Sequence, residues 1–157
     1  MKRILILWAA VLLSVAPGAQ QHRAKVSAAA AMEFGGIKMG SSPSHSQLVS
    51  CLGKPTRVET EVNVKTYWFG VNEICTVDST VTFVSLKDGS VAVLSSLIPG
   101  GVRVGDDAAI VKEKLLRYTA GEIRQTATGF AAGVGDDLVN FDTGPSGTIT
   151  GISYGLE

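Results

Sequence analysis

The sequence predicts an α+β protein built as two tandem helix–antiparallel-sheet repeats, with the helices packed on one face of a sheet. Three observations lead there. Gly35-Gly36-Ile37-Lys38-Met39-Gly40 returns 65 residues later as Gly100-Gly101-Val102-Arg103-Val104-Gly105. Each copy is followed by small polar residues and an apolar pattern of helical spacing. After each helix the period changes from 3.6 to 2, and strand, Gly-containing turn and strand are read at 81–94 and again at 138–152. Features repeated in the same order mark a duplication, which decides the architecture before individual elements do.

The N-terminal segment precedes this pattern. Met1-Lys2-Arg3 is basic, Ile4 to Val15 is apolar except for Ser14, and Ala16-Pro17-Gly18-Ala19 is small and helix-breaking. That is the layout of a secretory signal peptide over 1–18, cleaved near Gly18. Twelve apolar residues span roughly 18 Å as a helix, short of a ~30 Å hydrocarbon core. The mature chain is therefore expected to be exported, periplasmic or secreted, without stable membrane insertion. Residues 19–33 are Ala-rich and polar and read as a flexible tail, with a short helix able to start at Ala28 to Met32. The first repeat then occupies 34–98 and the second 99–157.

In the first repeat, Ser42 is the expected helix cap with Pro43 at the first helical position. Leu48 and Leu52 share one face, and Gly53 with Pro55 ends the helix. Arg57 to Val64 alternates charged and β-branched residues as an edge strand would. Lys65 to Phe69 is an aromatic strand. Thr80 to Leu86 and Val91 to Ser96 form an expected hairpin around Lys87-Asp88-Gly89. In the second repeat Asp106 or Asp107 caps a helix whose stripe is Ile110, Val111, Leu115 and Leu116, with Lys112, Glu113, Lys114 and Arg117 toward water. Strands follow at Glu122 to Thr128, Leu138 to Asp142 and Thr148 to Tyr154, with Gly129 to Asp137 as a loop. A unit of about 60–65 residues buries little surface alone. The two are expected to merge into one extended sheet, leaving its other face open to a partner.

Composition excludes several functions. Among 157 residues, 14 basic side chains balance 14 acidic ones, so no basic footprint for nucleic acid exists. Loss of Lys2 and Arg3 with the leader tips the balance to net acidic. Two cysteines and two histidines give no basis for a closed Cys/His zinc site, and no metal or cofactor is expected. His22 falls in the tail and His45 beside Ser44 and Ser46, where a solvent-facing role is expected. Cys51 and His45 lie on different faces of a helix, unsuited to a dyad. No Gly-x-Ser-x-Gly elbow occurs. Asp106-Asp107 read as helix caps, and Asp136-Asp137 with Asn140 and Asp142 as solvated loop acids lacking the calcium-loop pattern. In an exported chain, the even pair Cys51 and Cys75 reads as a disulfide, with two buried free thiols as the alternative. Closing that loop would stabilise by roughly 3.5 kcal/mol on the chain-entropy estimate.

The short helix, Leu52-Gly53-Lys54-Pro55, the strand with Trp68, and the Asp88-Gly89 hairpin resemble the module of the β-lactamase inhibitory protein superfamily. They also resemble the small lipoprotein of the outer-membrane β-barrel assembly machinery. Gly40 and Gly105 match the module's entry glycine, and Val111 its usual valine. The likeness covers about residues 36–157. The second copy departs from it, with Arg117 to Gly121 in place of the Gly-x-Pro exit and no counterpart of Tyr67-Trp68-Phe69. The resemblance implies tandem copies, disulfides within a repeat, and a non-enzymatic scaffold that binds proteins through a concave sheet.

Function is thus expected to be partner binding by an open sheet face. Tyr67, Trp68 and Phe69 are the candidates, Trp68 first because it faces away from its neighbours. All three packing in the core is the alternative. A small envelope enzyme or metabolite-binding domain, or a purely structural envelope protein, are the other readings.

Overall fold

Ten strands and two helices form among the described residues, which are 32–119, 121–135 and 137–156 of the computed structural model. A small hairpin, β1 (Glu33–Phe34) and β2 (Ile37–Lys38), precedes helix α1 (His45–Leu52). Strands β3 (Arg57–Glu61), β4 (Val64–Phe69), β5 (Asn72–Val77) and β6 (Thr80–Leu86) follow. After a long irregular crossing come α2 (Ala108–Tyr118), β7 (Ile123–Gln125), β8 (Gly129–Val134), β9 (Asp137–Thr143) and β10 (Ile149–Gly155). The leader at 1–18 and residues 19–31 of the tail lie outside the described residues. Met32 and Glu33, also read as tail, belong to the fold: Met32 is buried and Glu33 opens β1.

The expected α+β class with tandem helix–sheet repeats is corrected. The protein is β-rich: β3 to β10 make one eight-stranded antiparallel sheet, and the two helices are only 8 and 11 residues long. Spatial order is β3-β4-β5-β6-β10-β9-β8-β7, two up-and-down meanders joined through β6 and β10. The seam pairs Leu86 with Ile152, Ser85 with Ser153, Val84 with Tyr154 and Phe83 with Gly155. A single core cluster runs beneath the whole sheet, so neither half encloses a core of its own.

Two strands were hidden in segments expected to be loops. Asn72–Val77 pairs with β4 across the two-residue turn Gly70-Val71, where Gly70 has φ 67°. Gly129–Val134, expected as a loop, is a strand between β7 and β9. Conversely, Val91 to Ser96 is not the second strand of a hairpin. β6 takes β10 as its neighbour instead, and Val93 makes isolated bridges to Phe34 and Val102. Val93, Leu94, Ile98 and Val102 are wholly buried. This segment is apolar because it fills the core, which explains the misleading strand-like pattern.

Helix α1 starts two residues later than expected. Ser44 caps it in a reciprocal box: its hydroxyl accepts from the Gln47 amide at 3.2 Å, and Gln47 Oε1 accepts from the Ser44 amide at 2.8 Å. Asp107 caps α2 by accepting from the Ala109 and Ile110 amides at 2.8 and 3.1 Å. Of the expected stripe on α2, Val111 and Leu115 are buried, whereas Ile110 and Leu116 are more than half exposed. The helix therefore docks through a narrow ridge.

The sheet has two unlike faces. Alternation along each strand sends Tyr67 and Phe69, Ile74, Val84 and Leu86, Ile152 and Tyr154, Val139 and Phe141, and Phe130 and Ala132 into the core. Leu48 of α1 and Val111 and Leu115 of α2 join the same cluster, so both helices cover this face.

A polar knot fixes the exit of β6. Asn72, 1% exposed, donates from Nδ2 to Asp88 Oδ1 at 2.9 Å and Ser90 Oγ at 3.1 Å. Its Oδ1 accepts from the Lys87 amide at 2.8 Å and the Asp88 amide at 3.2 Å. Arg103 closes the knot by donating to the Gly89 and Ser90 carbonyls. Hydrogen bonds from the Ser90 hydroxyl and amide, then from Asn72, hold the Asp88 carboxyl below its ordinary pKa.

Two outcomes follow from this construction. Ser153 lies on an interior strand, so its amide serves a ladder on one side or the other. Ser153→Pro should cost about 3 kcal/mol or more, read by urea denaturation. A carboxyl whose pKa is lowered by folding contributes stability that is present above its unfolded value, near ~3.9, and is lost as pH falls through the folded value. Stability should therefore drop on acidification below about pH 4, and Asp88→Asn should flatten that part of the profile.

Candidate functional site: the open face of the sheet

The register places a continuous row of side chains across the face opposite the helices. It runs Arg57, Trp68, Glu73, Ser85, Ser153, Asn140, Ala131, Arg124, one residue from each of the eight strands. A parallel row holds Glu59, Thr66, Cys75, Phe83 and Gly155. Strand periodicity alone puts these residues on one surface, because directly paired positions share a face. No described helix or hairpin covers them.

Bulk and charge gather at one end of this surface. Trp68 is half-buried, and the Arg57 guanidinium lies over its ring at 3.8 Å from the centroid. Arg57 Nε also reaches Glu59 Oε1 at 3.3 Å. Glu73 flanks Trp68 on the other side. Phe83 lies beside Gly155, where an added Cβ would stand 3.5 Å from the Phe83 ring, an ordinary contact distance. Toward β8 the face flattens, since Gly129, Ala131 and Gly133 are its outward residues.

The three aromatic candidates separate. Trp68 lies on the open face as expected. Tyr67 and Phe69 are each 8% exposed in the core, with the Tyr67 ring 6.3 Å from that of His45. They cannot serve as docking residues, and their assignment to a binding surface is corrected. Phe83, Glu73 and Arg57 were missed as a group. The signal was present in the alternation of Thr80 to Leu86 and Arg57 to Glu61, but only cross-strand register brings them beside Trp68.

The expected disulfide is also corrected. Cys51 and Cys75 are both free thiols. Cys51 is exposed at the end of α1 on the helical side. Cys75 belongs to β5, not to a loop, and faces the opposite side because its neighbour Ile74 faces the core. The sheet itself separates the two sulfurs. Thr66 Oγ1 lies 3.4 Å from the Cys75 sulfur, which donates to Glu73 Oε1 at 3.6 Å. Burial pushes its pKa up, opposed by Thr66 and reinforced by Glu73.

No reactive constellation forms among the described residues. His45 is exposed on α1, and its neighbours Ser44 and Ser46 hydrogen-bond to each other at 2.9 Å. His22 and Asp136 lie outside the described residues. Burial of the Tyr154 phenol, reinforced by the Asp137 carboxylate, pushes its pKa upward. Asp142 accepts from Thr128 at 2.5 Å in a shallow hollow of about 580 Å³ that also includes Gln125, Thr126, Thr143 and Thr150. That hollow offers hydroxyls and one carboxylate but no base–nucleophile pair. No group of three or more His, Cys, Asp or Glu residues that could hold a metal ion occurs among the described residues, nor does a helix long and apolar enough to cross a membrane.

The thiol assignment has a direct readout. Native protein should titrate two thiols with a disulfide-exchange reagent, exposed Cys51 first and Cys75 more slowly, because the thiolate is the reacting species. Reductant should leave the melting temperature unchanged; a native protein with no titratable thiol and a fall in Tm on reduction would restore the bridge. Comparison with protein-family models, curated proteins and solved structures finds no match to this chain.

Proposed function

We propose that this protein is an exported, non-enzymatic binding protein that engages a folded protein partner through the open face of its sheet. The observation that carries the reading is the uncovered aromatic and charged cluster of Arg57, Trp68, Glu73 and Phe83. Interfaces are enriched in Trp, Phe and Arg at their anchor points. A Trp already held by a stacked guanidinium loses little rotamer freedom on docking, which lowers the entropic cost of association. The anchors stand on four adjacent strands of the sheet, β3 to β6.

Export rests on the basic, apolar and small-residue order of residues 1–18. The resemblance to the β-lactamase inhibitory protein superfamily supports the same mode of use, a protein docked on a sheet, although a shared fold would not name the partner. The scattered His, Cys and carboxylate groups favour binding over turnover.

The test is comparative capture from a periplasmic or secreted extract of the source organism, using wild-type protein, Trp68→Ala and Ile110→Ala. Ile110 is exposed on α2, on the far side of the molecule. A partner retained by wild type and Ile110→Ala but lost by Trp68→Ala supports the reading. With that partner purified, Trp68→Ala should weaken affinity by more than about 1 kcal/mol. Equal capture by all three, or by none, would remove the proposal.

A further inference from the structure

The outer edge of β3 is the longer of the two sheet edges and is open. All five residues, Arg57 to Glu61, are exposed, with Val58 at 44%. The pairing of β3 with β4 runs in regular register over its full length, with no bulge. The strand contains no proline, and no described residue covers it. Natural edges are usually blunted by shortness, by a bulge, by proline, by a cover or by charge. The opposite edge, β7, is only three residues long. On β3, charge is the one device left, and its pattern is self-complementary.

A two-fold axis normal to the sheet pairs residues whose numbers sum to an even constant, because paired positions must share a face. Centred on Glu59, the register pairs Arg57 with Glu61 twice but sets two glutamates opposite each other at its middle. Centred on Thr60, it sets Glu59 against Glu61, again like charges. Centred on Val58, it sets Arg57 opposite Glu59 twice and Val58 opposite its twin. Only this last register joins opposite charges without setting like charges opposite each other on the open face, and it adds an apolar pair on the helical side. The Arg57–Glu59 pair within one strand, with both side chains more than half exposed, then becomes half of a four-membered alternating network.

We propose that β3 pairs antiparallel with β3 of a second copy of this chain, Val58 opposite Val58 and Arg57 opposite Glu59. The sheet then continues across the dimer, and Trp68, the direct neighbour of Arg57, lies one strand inside the junction in each copy. The inference is independent of the partner reading, since it concerns the edge and not the face.

The test is self-association of the mature protein by sedimentation equilibrium across a wide concentration range, at low and high salt. Wild type should dimerise reversibly, less so at high salt. Arg57→Glu and Glu59→Arg should each weaken the dimer by at least about tenfold, because each sets like charges opposite each other. The double variant Arg57→Glu/Glu59→Arg should recover it, since the exchanged charges are again complementary. In a Cys51→Ser/Cys75→Ser background, Val58→Cys should oxidise to a covalent dimer and Val62→Cys should not. A wild type monomeric throughout, a dimer indifferent to the single reversals, or no recovery in the double variant would overturn the proposal.

Discussion

The pairing of β6 with β10 is the contact on which the rest of the molecule depends. It joins strands some seventy positions apart in sequence, and it turns two four-stranded meanders into one surface. Without it each meander would expose a strand edge and half of an apolar face. Closing so long a loop costs chain entropy, and only the combined core repays it. Leu86, Val84, Ile152 and Tyr154, paired across the seam, are all buried. The crossing segment between the halves is drawn into that core through Val93, Leu94, Ile98 and Val102, and the Asn72–Asp88–Arg103 knot holds its start.

The same seam produces the candidate site. Once eight strands lie edge to edge, alternation divides every strand between a face sealed by α1, α2 and the β1–β2 hairpin and a face that nothing described covers. Trp68 is set apart from Tyr67 and Phe69 by that alternation alone. The outcome is chemically specific: two aromatics become core, and the third stacks with an arginine on the outside. The open face is also graded, bulky and charged near β3 to β6 and flat near β8. The free thiols fit the same geometry, since one lies on each side of the sheet.

Much of this was legible beforehand and some was not. The strands at Thr80–Leu86, Leu138–Asp142 and Thr148–Tyr154, a cap at Asp106 or Asp107, and the split of Trp68 from its neighbours followed from spacing and turn chemistry, whereas the cap expected at Ser42 is Ser44. The strand Asn72–Val77 escaped because a short run opening on polar Asn72 and Glu73, directly after a glycine turn, reads as loop until a neighbour supplies its ladder. Gly129–Val134 escaped because glycine and alanine carry little β-propensity, and they are tolerated there because the backbone packs closely, as at Gly129 against the Phe141 carbonyl. The apolar run at 91–98 resembles a strand because core filling and strand burial leave the same composition.

The sequence by itself determined the local rules: that two short helices occur, which strand residues share a side, where glycine must turn the chain, and that charge at β3 marks an edge. Only the tertiary structure decided that the protein is β-rich, that β6 meets β10, that Cys51 and Cys75 are parted by a sheet, and that Phe83 and Glu73 stand beside Trp68. The reason is that periodicity records which way a side chain points relative to its own backbone. Which strand lies next to which is a property of long-range pairing, and no local spacing encodes it.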